Sequence, residues 1–86
     1  MYLDIITPDK KVFSGEVASV TVPGIDGQFQ VLNNHAAIIS SLGSGPIKVK
    51  IGAEETSYMT EGGVVEVLKN KVIVLVERVI DSVEEN

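Results

Sequence analysis

Apolar and polar positions alternate along this chain in short runs, each closed by a turn signal. From Glu16 to Val22 the period is two: Ala18, Val20 and Val22 share one face, and Val17, Ser19 and Thr21 the other. Ile47 to Ile51 repeats the pattern, with Ile47, Val49 and Ile51 opposite Lys48 and Lys50. Gly52-Ala53 then fits a two-residue hairpin turn with Gly first. That register predicts Lys50 opposite Glu55, Val49 opposite Thr56 and Ile47 opposite Tyr58. Leu3 to Thr7 is a short apolar strand stopped by Pro8-Asp9. Val12-Phe13 follows, and Ser14-Gly15 predicts another turn. Gly62-Gly63 separates the hairpin from Val64 to Leu68, and Lys69-Asn70-Lys71 forms the next turn. Val72 to Val76 is apolar at every position, which predicts a central strand covered on both faces; its β-branching and shortness argue against a buried helix. Turn signals every 8–12 residues or so are the rhythm of an all-β sandwich or barrel.

The densest punctuation lies between Val22 and Ile39. Pro23-Gly24 predicts the end of a strand and Asp26-Gly27 a second tight turn. Phe29 and Val31 restart an apolar run, and Asn33-Asn34-His35 forms a polar loop before Ile38-Ile39. A shaped end of a β-fold is where recognition commonly sits. The last residues read in two ways. Asp81 or Ser82 fits a helix cap with Glu three residues on, and the same segment also reads as a solvated acidic tail, because a single turn does not hold itself.

Composition narrows the function classes. Eighty-six residues make one domain, expected over residues 1–80 with a short tail at 81–86. With 44% apolar residues, two Phe, two Tyr and no Trp, the core must be aliphatic. The absence of cysteine excludes disulfides, thiol catalysis and thiolate metal sites. A net charge of −5 with seven scattered cations gives no basic stripe, so nucleic acid is not an expected partner. No apolar run reaches the ~18 residues of a membrane span, and the first residues lack the features of a signal peptide. The expectation is a soluble protein on the cytosolic side, able to dock on a membrane complex.

Candidate chemistry is sparse. His35 is the single histidine; a zinc site needs three or four ligands, and no serine stands in a nucleophile pattern. Loop architecture or a protein contact is the expected role. Asp26, beside Gly27, reads as a turn residue. The glycines form no phosphate loop. Lys69 and Lys71 at a hairpin tip admit one rival reading, a lipoyl or biotinyl carrier domain, although the Met or Asp and Ala neighbours typical of such lysines are absent.

Three motifs, in order and at matching separations, carry a resemblance: T-P-D-K-x-V-F-S-G-E-V at 7 to 17, V-P-G-x-D-G-x-F-x-V-L-x-N-H-A at 22 to 36, and E-G-G-V-V-E-V at 61 to 67 followed by N-K-V at 70 to 72. Over about residues 2 to 80 the chain resembles the epsilon subunit of rotary ATP synthases, in its N-terminal β-sandwich domain. The resemblance implies a flattened sandwich of about ten short strands. It implies a non-catalytic rotor subunit without cofactor or metal, held between the gamma subunit and the membrane-embedded c ring. Asp26, Gly27 and Gln28 would face the ring, and Thr7 and His35 would lie toward gamma. Its expected location is peripheral, on the cytoplasmic face of a bacterial inner membrane. Gln28 stands where the family commonly has an acid; Gln30, Asn33, Ala37 and Ser44 are further departures. Typical members continue into a helical hairpin that regulates hydrolysis and in some binds ATP. This chain stops at its threshold, so neither property is expected.

Overall fold

The computed structural model describes residues 1–85, with side chains described as far as Ile80 and at Ser82. Eight strands follow in order: β1 Tyr2–Ile6, β2 Lys11–Glu16, β3 Ser19–Gly24, β4 Gly27–Leu32, β5 Ile38–Leu42, β6 Gly45–Ile51, β7 Glu54–Leu68 and β8 Lys71–Glu85. The described residues contain no helix.

The ladders form one continuous sheet that folds over itself. Residues 54–60 of β7 pair with β6, and residues 63–67 pair with β5. The first half of β8 lies between β1 and β7, whereas residues beyond Val76 pair with β7 alone. One layer is therefore β2-β1-β8-β7-β5 and the other β4-β3-β6-β7-β8, with the two long strands common to both. This accounts for eight strands where about ten were expected: β7 and β8, at 15 residues each, serve twice. The core between the layers is aliphatic. Leu3, Ile5, Val65, Val67, Val72, Val74 and Val76 come from one layer, and Val20, Val22, Val31, Ile47 and Val49 from the other. Phe13 and Tyr58 pack against its open side with ring centroids 6.5 Å apart.

The predicted β6–β7 register is the observed one, with Gly52 at φ 59° in the turn. Four local expectations give way to ladder pairing. Ser14-Gly15 does not turn the chain; both lie in β2 opposite Asp4 and Leu3. β3 continues through Pro23 to Gly24, leaving one turn at Ile25-Asp26 instead of two. Pro23 is tolerated because β6 pairs with β3 only as far as Thr21; beyond it β5 meets β3 at Gly24–Leu42 alone, and there Pro23 serves as an acceptor, its carbonyl taking the Gly43 amide, so no donor is missed. β7 runs through Gly62-Gly63 without interruption. Finally, the backbone at 81–85 continues β8 in register with Glu55 to Met59, so no helix opens there; Asn86 lies outside the described residues.

Val72 to Val76 is the expected central strand, but only one face is dry. Val72, Val74 and Val76 are buried, Ile73 is half-buried and Leu75 is 45% exposed.

Candidate partner-binding surfaces

The two layers differ in what they show to solvent. On the outer face of the second layer, Thr21, Lys48 and Ser57 form one cross-strand row, and Lys50 stands beside Glu55. This is an ordinary solvated face. The outer face of the first layer alternates differently. Register places Ile39, Glu66, Ile73 and Asp4 in one row, Ser41, Val64, Leu75 and Ile6 in the next, and Leu68, Lys71 and Tyr2 in a third. Ile39 is 73% exposed and Leu68 52%. A recess of about 410 Å³ lies beside them, lined by Ala37, Ile38, Ile39, Glu66, Val67 and Leu68.

Asp4 interrupts this apolar face. Its neighbours Leu3 and Ile5 point into the core, so its own side chain lies on the outer face. Lys11 and Lys71 reach its two oxygens at 3.7 and 3.9 Å and cover it, leaving the residue 7% exposed. The Lys71 ammonium also sits 5.8 Å from the centre of the Tyr2 ring.

The residues expected to face gamma, Thr7 and His35, are not neighbours. Thr7 follows the last residue of β1, where its hydroxyl donates to Asp9 Oδ1 at 2.7 Å and its amide to the Lys10 carbonyl at 2.9 Å. His35 stands at the other end of β1. Its loop meets the chain start, where the N-terminal amine donates to Asn33 Oδ1 and the Asn34 amide to Asn70 Oδ1, each at 2.8 Å. The His35 ring bonds its own loop, with Nδ1 2.7 Å from the Ala36 carbonyl oxygen. The length of β1, about 17 Å at strand rise, separates the two positions. The exposed apolar face runs between them. Sequence reasoning did not find that face, because Ile39, Leu68 and Leu75 look like any other strand residues until the register is known.

Asp26, Gly27 and Gln28 stay together as expected, all exposed at the β3–β4 turn. A Cβ at Gly24 would lie 2.6 Å from the Gly27 carbonyl oxygen and 3.0 Å from the Phe29 ring, so the hairpin closes tightly on itself. The β5–β6 connection braces it: the Ile25 amide donates to the Ser41 carbonyl at 3.2 Å, and the Gly43 amide to the Pro23 carbonyl at 2.8 Å. Lys71, one of the two lysines of the carrier reading, is engaged with Asp4 and Tyr2; Lys69 stays exposed.

Comparison with known proteins agrees with this geometry. The family model described as "ATP synthase, Delta/Epsilon chain, beta-sandwich domain" matches residues 1–82. The ATP synthase epsilon chain of Chlorobium limicola is 47% identical over 78 residues, covering 90% of this chain and 89% of that one. That of Dehalococcoides mccartyi is 44% identical over 75 residues, but this chain spans only 54% of its length. Among solved structures, a chain of the Euglena gracilis mitochondrial ATP synthase assembly of OSCP, F1 and c ring superposes with a TM-score of 0.85 over 91% of this chain and 51% of its own, at 23% identity. At that identity the likeness speaks for the fold. The relatives do not favour the carrier reading. An all-β double layer, a histidine tied into its own loop and a match across residues 1–82 lead to one assignment: the chain belongs to the ATP synthase delta/epsilon family, as its β-sandwich domain.

Proposed function

We propose that this chain works as a rigid coupling piece of the ATP synthase rotor, gripping the gamma subunit with the outer face of its first layer and meeting the c ring at the β3–β4 turn. Its family makes it a non-catalytic stalk subunit. The bacterial relatives support a place on the cytoplasmic face of a bacterial inner membrane, reached through the complex; no helix among the described residues is long and apolar enough to cross a membrane.

The observation that carries the proposal is the asymmetry of the two outer faces. A contiguous exposed apolar patch marks an interaction surface far more often than it marks free surface. Ile39 and Leu68 form such a patch on one layer, which the half-buried Val64 links to Leu75, with Glu66 and the Asp4-Lys11-Lys71 cluster to fix orientation. A lasting grip buries about 1,200–2,000 Å² in total, and a five-strand face offers that scale. Thr7 and His35 mark its two ends. Thr7 is itself buried and contributes by shaping the β1–β2 loop, while His35 is half-buried. Stiffness follows from a close-packed aliphatic core between layers that share strands.

The test is co-purification with purified gamma. The native chain is expected to recover gamma, and the double variant Ile39→Asp, Leu75→Asp to bind at least tenfold more weakly with an unchanged far-UV spectrum. Failure of the native chain to hold gamma, or equal binding by the variant, defeats the assignment. An intact mass from the native source showing unmodified Lys69 and Lys71 is the matching expectation against the carrier reading.

A further inference from the structure

β4 leaves one whole edge of the sheet open. Among the described residues it pairs with β3 alone, from Gly27 to Leu32, with no shift of register. Gly24 and Gly27 close a two-residue turn, so the bonded pairs of this ladder are Gly24 with Gly27, Val22 with Phe29 and Val20 with Val31. The main-chain groups of Gln28, Gln30 and Leu32 therefore point away from β3. Of these, the Leu32 carbonyl takes the His35 amide at 3.2 Å.

An open edge is normally guarded by charge, proline or a bulge. Two other free edges follow that rule. β2 carries Lys11 and Glu16, and its register against β1 shifts between Ile5 and Ile6. β8 beyond Val76 carries Glu77 and Arg78, and its ladder with β7 shifts between Met59 and Thr60. β5 is short, and the Ile25 amide on its Ser41 carbonyl closes one end. β4 has none of these guards: it contains no proline, and from Gly27 to Ile47 the sequence holds no Lys, Arg, Asp or Glu.

We propose that β4 is a self-pairing edge, through which two free copies of this chain join antiparallel about a two-fold axis at Gln30. One register satisfies both the bonding parity and the faces. With Gln30 opposite Gln30, Gln28 stands opposite Leu32 and Phe29 opposite Val31. The outward main-chain groups then meet as bonded pairs, two bonds at the centre and one from each Leu32 amide to the Gln28 carbonyl of the other copy. Phe29, half-buried in a single copy, gains the buried Val31 of the other on the core side, a favourable aromatic and β-branched pair. A second copy fits this edge because of charge. At a net charge of −5 two copies repel in general, but this register sets no ionised side chain against another and places Asp26 beside Asn34. A two-fold contact uses the same edge on both copies, so the pairing closes at two. It covers Gln28, beside the turn proposed to meet the c ring, and so belongs to the chain outside the complex; it does not depend on that assignment.

Sedimentation velocity of the free chain from about 10 µM to about 1 mM tests the pairing, together with amide exchange followed by NMR. A six-residue edge falls short of the about 1,200 Å² of a standing complex, so a reversible dimer is expected, dominant toward the upper concentration. The amides of Gln28, Gln30 and Leu32 are expected to gain about fivefold or more protection with concentration, while those of Phe29 and Val31, already bonded to β3, stay unchanged. Gln30→Lys and Gln30→Glu are each expected to keep the native melting temperature and to weaken pairing about tenfold or more, since each sets like charges face to face. An equimolar mixture of the two variants is expected to pair again. A monomer throughout the range, protection gained at another edge, native pairing in either variant alone, or a mixture that stays monomeric overturns the proposal.

Discussion

Asp9 shows how one hydroxyl sets a local property. The Thr7 hydroxyl donates to its carboxylate, and this bond, followed by one from the Asp9 amide, holds the carboxyl below the usual range; slight desolvation opposes it, and Lys10 adds a small pull in the same direction. A carboxyl depressed in the folded state contributes stability that is present above its unfolded pKa and lost as pH falls through the folded value, so the effect belongs to the acid limb below about pH 4. Thr7→Val is expected to move the Asp9 titration up toward the ordinary value of about 3.9, followed by NMR. A titration curve left where it was contradicts the assignment. Asp4 teaches the opposite lesson. Two half-exposed lysines cover it, so its ion pairs are worth little by themselves, and its place on the apolar face is what matters.

At the scale of elements, the long strands decide the architecture, and Gly63 lets them do so. A Cβ there would lie 2.9 Å from Val76 Cα and closer still to the Leu75 carbonyl, so β7 and β8 meet where no side chain fits. Gly52 differs: its φ of 59° favours glycine, but the space around it is open. Gly63→Ala is therefore expected to cost about 2–4 kcal/mol in urea unfolding, against about 1 kcal/mol for Gly52→Ala. Equal losses at the two sites contradict the close-approach argument. The same pair of strands explains what was legible. The β6–β7 register could be read from alternation because a two-residue turn sets it locally. The passage of β7 through Gly62-Gly63, and of β2 through Ser14-Gly15, could not, because a breaker pair stops a strand only where no neighbour supplies ladder bonds.

For the molecule as a whole, shared strands imply shared stability. Loss of either β7 or β8 splits the first layer, so the domain is expected to unfold in one transition. Circular dichroism and tyrosine fluorescence should give coincident urea curves; separate midpoints contradict the continuity of the sheet. That indivisibility is what a part carrying torque requires. The exposed apolar face is the counterpart at this scale, since a free-standing domain gains nothing from it.

The residues themselves determined the all-strand class, the aliphatic core, the exclusion of thiol chemistry, and the family, because alternation, composition and ordered motifs are local properties. They also placed Asp26, Gly27 and Gln28 together, since neighbours in a tight turn stay neighbours. Only the tertiary structure decided that Thr7 and His35 stand at opposite ends of a strand, that Leu75 faces outward in a strand read as covered, and that Ile39 and Leu68 line one recess on the same outer face as Leu75. Those facts depend on which strands pair and on which side of the sheet a second layer closes, and both are settled by contacts between residues far apart in the chain.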